Sequence, residues 1–251
     1  MGYMEKRWWC LHGCQVMEYH SRKRHPPGEK RKTRQNPTPE KKQDANQRAK
    51  AMHAQRLILN NFDPGDKYIT LTYRDGGAPP DMEACRKDLE QLFRWLRPQY
   101  RKEGGELKWI RNVERTKRGI YHIHLLVNNL SGHDMGRKIR KWWKEKHGSI
   151  AQVQDTYLDG GFGKLADYLT KTQRAQDGTR ESSYSHSRNL VDPTAQTKEY
   201  VRWSVRSRGE WKEVRVPKGY ELVRESLYEG IDERTGYPYR YYTLILIRAG
   251  T

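Results

Sequence analysis

The sequence is poor in cysteine and has no long apolar segment, and each shortage excludes a class of protein. Three cysteines in 251 residues are too few for a disulfide framework, which predicts a protein of a reducing cytoplasm. No apolar run approaches the roughly 20 residues that a membrane-spanning helix needs. The N-terminal stretch MGYMEKRWWC also lacks the apolar core of a signal peptide, so we expect a cytoplasmic protein without membrane partners.

The segment CLHGCQVMEYH raises the alternative of a zinc site. It combines two cysteines with two histidines, namely Cys10, Cys14, His12 and His20. The spacing is not that of a zinc finger, and no second cysteine pair follows later in the chain. The sequence therefore favours thiols that bind no metal.

Acidic residues are also few relative to basic ones. The chain contains 31 Asp and Glu and 49 Lys and Arg, which gives a net charge of +18. The common partners of such a positive field are nucleic acids and anionic membranes. The basic stretch SRKRHPPGEKRKTRQNPTPEKK has almost no apolar residues and predicts a flexible arm. We expect Arg22, Arg24 and Lys32 of this arm to bind a phosphate backbone; the alternative is a tail that only aids solubility.

The middle of the chain alternates strand and helix signals. The strand-like runs KYITLTY, ELKWIRNVER and GIYHIHLLV, with a further strand near 150–153, surround two amphipathic helical patterns. Asp81 opens the first helix and Pro98 closes it, whereas Ser131 and Asp134 form a capping box for the second, which Gly148 ends. The order β-α-β-β-α-β predicts an α+β, ferredoxin-like split βαβ fold, an antiparallel sheet with helices on one face and the other face open.

The flanking regions predict a division into three consecutive segments. Residues 1–62 contain the basic arm and a helix, residues 63–175 form the core, and residues 176–251 form a polar loop and a β-rich extension. Whether the C-terminal strands extend the core sheet or form a separate lobe is open from the sequence.

His122 and His124 lie two residues apart in the strand GIYHIHLLV, so both imidazoles project from the same face. A three-residue loop after Thr116 would place Glu114 directly opposite His122, whereas a two-residue loop would put it out of phase. Two imidazoles and a carboxylate suit Mn²⁺ or Mg²⁺ with open coordination positions. The alternative is a pair of structural histidines, with Glu114 paired to Arg111 or Arg115.

A helical segment further along, GKLADYLTK, contains a tyrosine flanked by lysines. Lys164 lies one turn before Tyr168, and Lys171 follows three residues after it on the same side. Such a tyrosine can hold a phosphate and attack it through its phenolate oxygen. The alternative is an amphipathic helix in which Tyr168 packs in the core and Lys171 pairs with Asp167.

These motifs resemble those of the HUH endonucleases. HIHLL resembles their histidine-hydrophobe-histidine motif, YLTK their Tyr-x-x-Lys motif, and YITLTY the first motif of their rolling-circle replication initiators. The stretch LILNNFDPGDKYITLTY is similar to replication-associated proteins of bacterial plasmids and phages. The resemblance covers residues 57–172 and preserves the order of the motifs.

The resemblance implies a metal-dependent nuclease that nicks and joins DNA strands, with the HUH core in residues 63–175. Tyr168 would attack a phosphate of single-stranded DNA, form a 5′-phosphotyrosine and free a 3′-hydroxyl. His122, His124 and Glu114 would hold Mn²⁺ or Mg²⁺, and Lys171 would steady the phosphate. Tyr157 lies eleven residues before Tyr168, outside the helix, so the paired-tyrosine mechanism of some relatives does not fit.

The same resemblance implies single-stranded DNA at a replication origin, with or without a hairpin, as the substrate. The host helicase and polymerase would be partners in a bacterial cytoplasm. Lys164, Arg111 and Arg115 are expected to contact the DNA. Two alternatives stay open: a nonenzymatic module that binds single strands by base stacking, and a relaxase or transposase with the same chemistry.

Overall fold

The structure, a computed structural model, describes most of the 251 residues, in the ranges 3–20, 36–74, 76–116, 119–149, 151–171, 182–199, 206–207 and 210–247. The described residues form an α+β structure with two antiparallel five-stranded sheets, a two-stranded ribbon and four α-helices. Within these ranges, no helix is both long enough and apolar enough to cross a membrane.

The chain divides into two compact units. The first contains residues 1–60, 158–163 and 192–251, and the second contains residues 61–157 and 164–191. The four helices are α1 (Pro39–Asn61), α2 (Met82–Lys102), α3 (Met135–His147) and α4 (Gly163–Thr170). The strands are β1 (Tyr3–Cys10), β2 (Gly13–His20), β3 (Lys67–Leu71), β4 (Trp109–Arg115), β5 (Tyr121–Val127), β6 (Ala151–Asp155), β7 (Ser182–His186), β8 (Gln196–Glu199), β9 (Arg206–Ser207), β10 (Glu210–Trp211), β11 (Tyr220–Asp232) and β12 (Tyr237–Leu246).

The sheet of the second unit has the strand order β6-β3-β5-β4-β7, and every neighbouring pair is antiparallel. Alternate residues of β5, including Ile123 and Leu125, pack with apolar side chains of α2 and α3 in one buried cluster. We call this side of the sheet the helix face. The opposite side carries His122 and His124, and we call it the histidine face.

The ends of α2 and α3 differ from the predicted ones. Helix α2 begins after Asp81, as expected, but continues through Pro98 to Lys102, because Tyr100 in its last turn is fully buried. Helix α3 begins at Met135 with Asp134 as its N-cap, so the Asp134 carboxylate accepts from the Arg137 N–H at 2.8 Å. The capping box with Ser131 as N-cap is therefore not formed. Gly148 ends α3 with a φ of 65°, as predicted.

The first unit brings together the two ends of the chain. Its sheet has the order β11-β12-β2-β1-β8, so the N-terminal strands β1 and β2 lie between β12 and β8 from the C-terminal part of the chain. The Gln15 amide of β2 donates to Gln55 of α1 at 3.0 Å, which joins the sheet to the helix. The predicted division into three consecutive segments differs from this arrangement, because strand pairing over long sequence separations is not visible in local patterns.

The cap of α3 provides a direct test of the corrected helix start. Replacing Asp134 with Ala should lower the free energy of unfolding by about 1 kcal/mol, because the Arg137 N–H loses its acceptor. Replacing Ser131 with Ala should leave the midpoint of urea unfolding unchanged. A larger loss of stability in Ser131→Ala than in Asp134→Ala would show that Ser131 is the N-cap of α3.

Candidate metal centre and tyrosine site

The antiparallel pairing of β4 with β5 positions three polar side chains on the histidine face. The Thr116 N–H donates to the Ile120 carbonyl at 2.8 Å, which closes a three-residue loop. Glu114 is therefore directly opposite His122, as the three-residue loop predicts. Ligand atoms of Glu114, His122 and His124 all lie within 4.8 Å of one another, and no other such group of three His, Cys, Asp or Glu occurs in the described ranges.

His124 is held by hydrogen bonds on both ring nitrogens. Its Nε2 lies 2.9 Å from Glu114 Oε1, on the side of the cluster. Its Nδ1 lies 3.0 Å from the Tyr68 hydroxyl and 3.4 Å from the Thr70 hydroxyl, both on β3. Only 2 % of His124 is exposed, so the ring has one well-defined orientation.

The electrostatics of Glu114 and His122 favour the forms that bind a cation. The hydrogen bond from His124 lowers the pKa of Glu114, and the positive charge of Lys171 adds to this effect, so the carboxyl is ionised at neutral pH. Burial lowers the pKa of His122, which keeps that imidazole neutral. A carboxylate and neutral imidazoles are the states in which these groups act as ligands.

Tyr168 of α4 points at the same cluster. Its hydroxyl lies 3.4 Å from His124 Nε2, and the two rings meet edge-on with centroids 4.6 Å apart. Tyr168 is 44 % exposed, so the phenol has both a contact with the cluster and access from solvent. Burial and the charge of Glu114 raise its pKa, so the phenol is protonated at neutral pH. This exposure does not agree with the alternative that Tyr168 packs in the hydrophobic core.

A second contact attaches the end of α4 to the histidine face. Asn112, which is opposite His124 on β4, is fully buried and donates from its Nδ2 to the Lys171 carbonyl at 3.3 Å. Together with the contact between Tyr168 and His124, this bond covers part of the face that was predicted to be open. The side chain of Lys171 is exposed.

Three successive residues with positive φ precede α4. Gly160, Gly161 and Phe162 have φ values of 60°, 58° and 59°. Glycine adopts this conformation without strain, whereas Phe162 does so at a cost of roughly 1–2 kcal/mol and is held by burial of its ring. These residues direct the chain into the helix that carries the tyrosine.

The residues expected from the sequence to contact DNA do not all lie near the cluster. Lys164 is exposed one turn before Tyr168. Arg111 and Arg115 alternate with Asn112 and Glu114 on β4 and therefore belong to the helix face, away from the cluster. Burial and the nearby Arg86 of α2 lower the pKa of Arg111 to about 10.

Arg115 has a structural contact of its own, because its Nε donates to the Gly119 carbonyl at 3.3 Å across the hairpin. Arg22, Arg24 and Lys32 lie outside the described residues.

The zinc alternative receives no support from the first unit. Cys10 is opposite Gly13 and Cys14 is opposite Trp9, so their side chains leave the β1–β2 hairpin on different faces. Burial raises the pKa of each thiol to about 12, which disfavours the thiolate that zinc requires.

Sequence reasoning missed Tyr68, Thr70 and Asn112. A signal for all three was present in the alternation of each strand. Tyr68 and Thr70 are the outward residues of KYITL, and β3 pairs with β5 so that Thr70 is opposite His124. Asn112 lies two residues before Glu114 and thus shares its face.

The middle of the chain is similar to a known protein family. No curated protein and no solved structure matches the chain. Residues 66–173, less than half of the 251 residues, match the model of the family described as replication-associated protein ORF2/G2P. The segment that carries the Glu114–His122–His124 cluster and Tyr168 is therefore similar to replication-associated proteins.

Proposed function

We propose that this chain is an HUH-type rolling-circle replication initiator that nicks and rejoins single-stranded DNA. One observation carries the proposal: the Tyr168 hydroxyl lies 3.4 Å from His124 Nε2, within a cluster of two histidines and a glutamate. A nucleophile beside a set of metal ligands is the arrangement that metal-assisted phosphoryl transfer needs. The match of the same segment to replication-associated proteins supports the biological setting.

The topology of the second unit supports this assignment. Strands β3 and β4 are connected through α2 and lie on either side of β5, with β6 beyond β3. This order agrees with the ferredoxin-like split βαβ arrangement, to which β7 adds an edge strand. We therefore propose that this unit is the HUH core. A nonenzymatic module would need exposed aromatic rings on the face of its central strands, whereas β5 presents His122 and His124 there and the half-buried Tyr68 of β3 has its hydroxyl 3.0 Å from His124 Nδ1.

The cluster fits a divalent cation. Its donors are two imidazole nitrogens and one carboxylate, already within 4.8 Å of one another, which suits Mn²⁺ or Mg²⁺ and leaves positions open for substrate oxygens. When bound, the ion would polarise the scissile phosphate.

Tyr168 is the proposed nucleophile. Its phenol loses a proton, its oxygen bonds to phosphorus, and the bond between phosphorus and the 3′-oxygen breaks. The departing 3′-oxygen takes up a proton, which leaves a 3′-hydroxyl strand and a 5′-phosphotyrosine on the protein. Rejoining reverses these steps, since a 3′-hydroxyl attacks the phosphotyrosine and restores the phenol.

The surrounding cations would bind the strand. Lys171 acts on Glu114 through its positive charge and is exposed, so it can hold a phosphate beside the cluster. Lys164 extends this positive surface by one helical turn. We propose that Arg22, Arg24 and Lys32 add non-specific phosphate contacts, and that the host helicase and polymerase act on the freed 3′-hydroxyl in the bacterial cytoplasm.

Removal of a ligand should weaken metal binding strongly. We expect His122→Ala and Glu114→Ala each to weaken Mn²⁺ binding by more than about 100-fold, since loss of an outer-shell partner alone costs about 10–100-fold. Isothermal titration calorimetry measures this directly. The matched control is His133→Ala, which removes the 3.2 Å contact of His133 Nε2 with the Glu103 carboxylate elsewhere in the same unit. Retained Mn²⁺ affinity in the two ligand variants would rule out the metal site.

Removal of the Tyr168 hydroxyl should abolish the covalent step. We expect Tyr168→Phe to bind a labelled single-stranded oligonucleotide as the wild type does, because the ring and the lysines remain. It should form no adduct on a denaturing gel with Mn²⁺. Tyr157→Phe, which alters a more accessible tyrosine that is 70 % exposed, should form the adduct normally. An adduct in Tyr168→Phe, mapped by mass spectrometry to another residue, would contradict the assignment.

A further inference from the structure

We propose that Tyr68 is the positioning residue for His124, and that its hydroxyl orients the imidazole so that Nε2 is presented to a divalent cation. This inference rests on the proposed function, because it concerns the same metal site. Tyr68 does not touch the substrate in this account and acts only through His124.

The contacts place Tyr68 on the far side of the imidazole from the cluster. Its hydroxyl lies 3.0 Å from Nδ1, while Nε2 is 2.9 Å from Glu114. The two ring planes are nearly parallel, 10° apart, with centroids separated by 6.2 Å, and the 3.0 Å distance between the hydroxyl and Nδ1 lies within the hydrogen-bond range. Tyr68 of β3 is opposite Leu126 of β5 in the antiparallel pairing. The residue before Leu126 on β5, Leu125, packs in the buried cluster of the helix face and holds the strand in place.

The Tyr68 hydroxyl can form a hydrogen bond with either tautomer of the His124 imidazole. A neutral imidazole carries one N–H, and a phenolic hydroxyl can both donate and accept. When the proton is on Nε2, that group donates to Glu114 and the Tyr68 hydroxyl donates to Nδ1. When the Nε2 lone pair faces a cation, the proton is on Nδ1 and Tyr68 accepts it. Phenylalanine can do neither.

Thr70 is the competing partner for the same nitrogen. Its hydroxyl is 3.4 Å from Nδ1, longer than the usual range of about 2.7–3.2 Å, whereas the distance from Tyr68 falls inside that range. We therefore expect the Thr70 contact to be secondary. Thr70→Val removes this hydroxyl with little change in shape and provides the comparison.

The substitution Tyr68→Phe isolates the hydroxyl. The Tyr68 ring meets the Tyr168 ring edge-on with centroids 6.2 Å apart, and phenylalanine preserves this packing. Tyr73→Phe is the matched control: Tyr73 follows the same strand, but its hydroxyl donates to Asp88 at 3.0 Å, away from the cluster.

The experiment compares Mn²⁺ affinity in the full-length wild type and these three variants by isothermal titration calorimetry. We expect Tyr68→Phe to bind about 10–100-fold more weakly, the usual effect of losing an outer-shell partner of a ligating histidine. Thr70→Val should lose less, and Tyr73→Phe should bind as the wild type does. Circular dichroism checks that each variant is folded.

A second readout follows the imidazole itself. In ¹⁵N-labelled protein at a Mg²⁺ concentration that just saturates the wild type, the wild type should show His124 with its proton on Nδ1. Tyr68→Phe, which binds the ion more weakly, should show a mixture of the metal-bound and metal-free tautomers at the same concentration. Wild-type Mn²⁺ affinity and an unchanged tautomer in Tyr68→Phe would overturn the inference and leave the proposed function standing. A larger loss in Thr70→Val would assign the role to Thr70 instead. A wild type that binds no Mn²⁺ would contradict the proposed function itself.

Discussion

The register between β4 and β5 is the constraint on which the candidate site depends. Glu114 contributes to the cluster only because it is opposite His122, and a slip of one residue would turn it to the helix face. The short loop closed by Thr116 and Ile120 sets this register, and the buried row of apolar side chains on the helix face holds it. A polar cluster is thus positioned by apolar packing on the other side of the same sheet.

Much of this site could be predicted from short-range patterns. The spacing of His122 and His124 predicts a shared face, because alternation along a strand is a local property of the backbone. The order of strands and helices in the core was also readable, since each element has its own periodicity. The same alternation rule, applied to Arg111 and Arg115, would have placed them with Val113 on the helix face, where the structure has them.

The rest required contacts that the sequence does not encode locally. Tyr68 approaches His124 only because β3 is a direct neighbour of β5, a pairing between residues more than fifty positions apart. In the first unit, strands from both ends of the chain pair with each other, and no periodic pattern in the sequence predicts that pairing. Helix α2 passes through Pro98 because burial of Tyr100 in its last turn overrides the local preference of proline.

The central claim is that Glu114, His122 and His124 together bind a divalent cation beside Tyr168. The most direct measurement is an anomalous difference map from crystals of the full-length protein grown with Mn²⁺. The account predicts a single strong peak within coordination distance of the Glu114 carboxylate and of both imidazoles. A peak that lies elsewhere, or a map without a peak at these three residues, would contradict it.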